Sequence, residues 1–212
     1  MKTITKTVSS EIVVTKSKFI GNLFHIESKE DAELLIEQIR KKYFDARHNC
    51  FAYVIYDKSS SQIIKKSSDD GEPSGTAGAP ILECLIGAEL VNTLCIVTRY
   101  FGGVLLGTGG LTRAYASSCK ESIIKAQSEK IICDLHEGYE INLELPYDLY
   151  NQVKRILETK IYKETNSEFA EKVHMKFFIE KTDLASFQKE LTNLASCEFP
   201  ISKSPLTIFT KE

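Results

Sequence analysis

Tryptophan is absent from the 212-residue chain, so Tyr (9) and Phe (11) carry all its aromatic area. An excess of either charge is absent too. Lys and Arg number 27 against 29 Asp and Glu, a formal net charge of −2. That balance argues against a nucleic-acid binder held by bulk charge and leaves room for a local basic patch. No run of about 18 apolar residues occurs, so no membrane-spanning helix and no membrane partner are expected. The most apolar stretch, Leu94 to Leu111, is broken by Arg99 and five glycines. The segment Met1 to Lys6 lacks the apolar core of a signal peptide, and a cytoplasmic location is expected. Cys50, Cys84, Cys95, Cys119, Cys133 and Cys197 form no C-x-x-C pair and read as reduced, mostly buried thiols. No H-E-x-x-H or H-x-E…C-x-x-C pattern is present, so zinc is not expected, and no other metal or cofactor is assigned. What is there, 42 % hydrophobic and 26 % charged residues, is the composition of a folded chain of one large or two small domains.

Short strands are expected over Ile4–Val8, Ile12–Val14 and Phe19–Ile26. Ser28 and Asp31 have the spacing of a capping box ahead of an amphipathic helix over 29–43. Asn49–Tyr56 alternates two apolar sets and reads as a strand covered on both faces. A returning strand follows over Gln62–Lys66, then a helix over Ile81–Ala88, a buried strand over Thr93–Tyr100 and a helix over 111–127. The character changes near residue 135. From there the order is β-α-β-β-α-β in about 75 residues, the ferredoxin-like arrangement. Two domains are therefore expected, 1–134 and 135–212.

Nine of the eleven glycines fall between Gly71 and Gly110, where they let backbone N–H groups approach a ligand. In the second loop Arg99 and Tyr100 lead into Gly102 and Gly103, and Gly107, Thr108, Gly109 and Gly110 run into a helix start. Free N–H groups, the positive end of the dipole and the guanidinium groups of Arg99 and Arg113 suit a phosphate. Tight turns with close helix–strand packing explain the same glycines equally well. The first loop carries Asp69, Asp70 and Glu72. These could hold a hard cation, but capping the turn and the next helix is the favoured role, with Gly75 and Thr76 shaping the loop. If the loops meet, acids and arginines neutralise one another. His48 and Cys50 share a strand face, yet no third orienting group completes a nucleophile, so no catalytic residue is assigned.

Three strings, Arg47-His48-Asn49-Cys50-Phe51-Ala52-Tyr53, Asp69 to Gly78, and Arg99 to Gly103 with Leu106 to Tyr115, resemble the YigZ/IMPACT family over residues up to about 130. The later region resembles the small ferredoxin-like domain that bacterial members append. The resemblance implies an α/β first domain like domain IV of elongation factor G and domain two of a ribosomal small-subunit protein. It implies a second domain like the last domain of elongation factor G. It also implies a link to translational control, known for eukaryotic members. The family supplies no catalytic residues to transfer.

The resulting expectation is a two-domain protein that binds RNA or the ribosome through Arg99, Tyr100, the glycine loops and Arg113. Glu140, Asn142 and Glu144 on the wet strand of the second domain disfavour stacking of RNA on that sheet, so a protein is its expected partner. The rivals are an enzyme acting on a phosphorylated small molecule and a purely protein-binding module. An Asp70–Arg113 ion pair closing the loop is the alternative to an anion site. Oligomeric state is not legible in the residues.

Overall fold

The computed structural model describes residues 1–194, 199 and 201–211. Cys197 lies outside the described residues. The chain forms two compact units, Met1–Cys133 and Asp134–Glu212, a two-domain α/β architecture.

From the first residue to the unit boundary the strands and helices run β1 (Lys2–Ile4), β2 (Val8–Val14), β3 (Ser17–His25), α1 (Lys29–Lys42), β4 (His48–Asp57), β5 (Gln62–Ser68), α2 (Gly78–Gly87), β6 (Thr93–Tyr100), α3 (Gly107–Ser128) and β7 (Ile132–Asp134), whose last residue is the first of the second unit. One five-stranded antiparallel sheet has the order β2-β3-β6-β4-β5. The links β3-α1-β4 and β5-α2-β6 each return to a parallel strand two places away, with one antiparallel strand between, which makes two split β-α-β crossovers. The expected strand over Ile4–Val8 is instead two pieces. β1 leaves the sheet to pair with β7, and Thr5 N–H donates to Ile131 O at 2.8 Å.

Two-sided burial governs β4. Phe51, Tyr53 and Ile55 pack with Ile36 and Ile39 of α1, and the alternate residues Cys50, Ala52 and Val54 are buried on the face that α2 covers. α1 begins where its sequence places it. Ser28 Oγ accepts from Asp31 N–H, and the Asp31 carboxylate accepts from Ser28 N–H, which satisfies donors the helix leaves free. On the opposite face Phe19 meets Tyr115 of α3 edge-to-face at 5.2 Å.

The second unit contains β8 (His136–Leu145), α4 (Tyr147–Glu158), β9 (Tyr162–Phe169), β10 (Val173–Glu180), α5 (Leu184–Leu194), β11 (Ile201–Lys203) and β12 (Thr207–Phe209). Its antiparallel sheet runs β11-β8-β10-β9, with β12 continuing beside β8. This is the 4-1-3-2 order of a ferredoxin-like fold with the last strand split in two. Ile141, Leu143, Met175 and Phe177 alternate inward onto Val153, Leu157 and Phe187.

Candidate functional site

Strand register gathers the glycine loops at one end of the first sheet. His48 opens β4 opposite Arg99, Tyr100 closes β6 opposite Lys18, and Ser68 of β5 faces Phe51. The β2–β3 hairpin turns at this same end through Thr15 and Lys16, at φ +46° and +67°. The loop 69–77, the loop 101–106, the hairpin turn and the residues before β4 are therefore neighbours.

The acidic loop is held by the protein's own donors. Asp69 accepts backbone N–H bonds from Gly75, Ala77 and Gly78 at 2.8–2.9 Å. Burial opposes ionisation of Asp69, but these three donors outweigh it and hold the carboxyl below the usual Asp value. They also start α2 three residues earlier than the expected Ile81, with Pro80 tolerated in its first turn. Asp70 accepts from Arg40 at 2.6 Å and from Asn49 N–H at 2.7 Å. The expected alternative, an Asp70–Arg113 pair, is thus replaced by Asp70–Arg40. Thr76 is buried and donates to Pro73 O. Among the described residues no three His, Cys, Asp or Glu side chains cluster as metal ligands.

Arg99 does not occupy the exposed position expected of a phosphate contact. It is 7 % exposed, and its Nη1 lies 2.7 Å from Glu72 Oε1, a side chain only 4 % exposed. Tyr115 donates to the same oxygen at 2.8 Å, and the rings of Phe19 and Phe101 lie 5.7 and 5.6 Å from the guanidinium carbon. A buried guanidinium needs a paired anion, and Glu72 supplies it, so the loops neutralise each other here. Cys50 completes the cluster by donating to Asp69 O. Burial pushes its thiol up to about 12, with Glu72, Asp70 and Asp69 adding to the rise. Burial also raises the Tyr115 phenol, reinforced by Cys50 and Glu72. His48 Nδ1 faces Asp70 O at 2.9 Å. Cys50 is a protonated core group.

The exposed rim differs from the set named from the sequence. α3 begins at Gly107, four residues before the expected Leu111, after Gly107 turns the chain at φ +66°. Arg113 consequently stands in the second turn, where its Nε donates to Gly109 O at 3.2 Å. The first turn of α3 holds no acidic residue, and its N-cap, Leu106, makes no side-chain cap. Gly107, Thr108 and Gly109 are exposed, and Gly110 is half-buried. Gly103 is exposed at φ +85°. Gly102 lies flush on the hairpin turn, where a Cβ would fall 2.1 Å from Lys16 C and O. The Tyr100 hydroxyl donates to Asp45 at 2.7 Å, which pushes it up to about 12. Lys16, Arg47 and Arg113 are exposed and form no ion pair among the described residues. Lys16 and Arg47 are not among the residues the sequence points to: Arg47 lies within the string Arg47 to Tyr53 with no charge signal of its own, and Lys16 reaches this end only through the hairpin.

In the second unit the wet face of β8 is charged but largely neutralised. Glu140 pairs with Lys176 at 3.1 Å, and Glu144 pairs with Lys172 and His174. Asn142 donates to Ser202 Oγ. No helix among the described residues is long and apolar enough to cross a membrane.

A model of the Impact N-terminal domain matches residues 15–123, and one of a domain of unknown function (DUF1949) matches 143–196. The chain is similar to IMPACT family member YvyE of Bacillus subtilis, 34 % identical over 99 % of this chain and 93 % of the relative. It is also similar to IMPACT family member YigZ of Escherichia coli, 33 % identical over 86 % of this chain and 87 % of that one. A solved structure titled as the crystal structure of a hypothetical protein superposes with a TM-score of 0.58 at 29 % identity, covering 94 % of this chain and 95 % of the other.

Proposed function

The chain belongs to the IMPACT family, and from that premise we propose that it binds RNA, free or within the ribosome, and acts in the control of translation. The contact surface is the loop end of the first unit. The observation that carries this reading is the start of α3, an uncapped first turn without acids, with Arg113 bonded back to Gly109 in that turn, Lys16 in the hairpin turn against Gly102, and both cations exposed. Unpartnered N–H groups and the positive dipole end favour an anion, and nearby cations add charge-assisted contacts. With a net charge of −2, the attraction has to be local.

The competing enzyme reading asks a carboxylate of the acidic loop to hold a divalent cation. Asp69, Asp70 and Glu72 are each engaged by protein donors, which favours RNA binding over that chemistry. On the wet sheet face of the second unit the lysines are paired with Glu140 and Glu144, so few cations are left there for phosphate and a protein partner suits that face better. Pelleting ribosomes from the protein's own cells at low salt should carry the chain down, and high salt should release it. A chain that stays in the supernatant at low salt contradicts the reading.

A further inference from the structure

Between β6 and α3 the chain holds three apolar side chains in water: Phe101 is 52 % exposed, Val104 42 % and Leu105 87 %. Single exposed apolar residues are ordinary, but three within five positions make a patch that asks for an occupant. The segment is anchored at its start. Gly102 N–H donates to Ser17 Oγ at 3.1 Å, and the Arg99 guanidinium backs the Phe101 ring at 5.6 Å. Beside it lies a cleft of about 360 Å³ lined by Val14, Thr15, Leu105, Leu106, Gly110 and Arg113, among others. Val14, Leu105 and Leu106 thus share the cleft with Thr15 and one planar cation, on the surface where Lys16 also lies.

We propose that this loop and cleft receive an unpaired nucleobase, so that the RNA bound is single-stranded. The inference rests on the RNA-binding reading above and names its substrate class. A duplex shows a protein phosphates, 2′-hydroxyls and base edges, while the faces of its bases are stacked out of reach. A surface that met only phosphate would need cations and would have no use for Leu105 held in solvent. An unpaired base offers the apolar face that Phe101 and Leu105 lack. Arg113, which lines the same cleft, then meets the phosphate beside that base. The cleft is of the size that holds one small planar group. Because every base has such a face, binding tolerates many sequences.

The test compares, on the full chain, an unstructured RNA of about 12 nucleotides with a blunt duplex of the same length, by fluorescence anisotropy. The parent should prefer the single strand by about tenfold or more. Leu105→Ser and Phe101→Ala should each weaken single-strand binding by about fivefold or more. Duplex binding and salt dependence should not change, because no phosphate contact is lost. Leu105 is exposed enough for the serine variant to keep its fold, which a thermal melt checks. Equal affinity for both probes, or variants that weaken neither or both alike, overturns the single-strand inference and leaves the RNA surface standing. Binding of neither probe overturns the RNA reading together with it, and an apolar protein groove becomes the better occupant.

Discussion

At the scale of the residue, Arg99 shows how an accessible-looking cation becomes a structural one. Its string, Arg-Tyr-Phe-Gly-Gly, looks the same whether the guanidinium meets a ligand or a buried acid. The outcome depends on Glu72, 27 positions away in sequence and 2.7 Å away in space. Removing one partner of a buried pair leaves the other charge uncompensated. Arg99→Ala should therefore lower unfolding stability by about 3–5 kcal/mol in a urea titration. A loss within the range of an exposed pair, about 0–1 kcal/mol, would contradict the burial described. Cys50 gives a second prediction. Its thiol is raised from 9.0 to about 12 in the folded chain, so it should resist alkylation at about pH 8 until the protein unfolds. The folded state holds this proton between about pH 9 and 12 while the unfolded state has lost it, so stability should fall as pH rises through that window. Rapid labelling of native Cys50 would contradict the account. The sequence could rank Cys50 as a core group from its strand position. It could not pair Arg99, because a long-range contact leaves no local spacing.

At the scale of the element, the legible parts were those with local signals. The α1 start was legible because Ser28 and Asp31 make a capping box by spacing alone. β4 was legible because both its faces are apolar. The starts of α2 and α3 were not, since glycine and proline argue locally for a loop. At α2 that preference is overcome by Asp69, which accepts the Ala77 and Gly78 N–H groups from nine or fewer positions upstream. Asp69→Ala should therefore cost about 1–2 kcal/mol, as for loss of a helix cap. Because the folded carboxyl lies below its usual value, the contribution is present above the unfolded Asp pKa of about 4 and fades as pH falls through the folded one. A chemical-denaturation series from neutral to acid pH, run on parent and variant, reads both; parallel curves would contradict the cap. Gly102→Ala should separate the 101–106 loop from the hairpin turn, since its methyl meets the Lys16 backbone. The expected result is a lower melting temperature and faster amide exchange at Gly102, whose N–H is bonded to Ser17.

At the scale of the whole molecule, each unit closes its own hydrophobic cluster, and we propose that residues 1–134 and 135–212 fold separately. Each fragment should show a cooperative thermal transition, and two fragments without one would contradict the division. The change of pattern near residue 135 was visible because a one-sided alternating strand replaces strands covered on both faces. The candidate rim was less legible, because it is assembled by register from four separate segments. The central claim is that its exposed cations meet RNA phosphates. The most direct measurement is the dependence of RNA affinity on salt for the parent and for a Lys16→Ala/Arg113→Ala variant, both positions being exposed. Phosphate contacts release counterions, so log affinity should fall linearly with log salt for the parent. The double variant should lose about 0.7 of that slope for each cation removed on a single strand. A parent that binds no RNA at low salt, or a variant with an unchanged slope and affinity, would contradict the account.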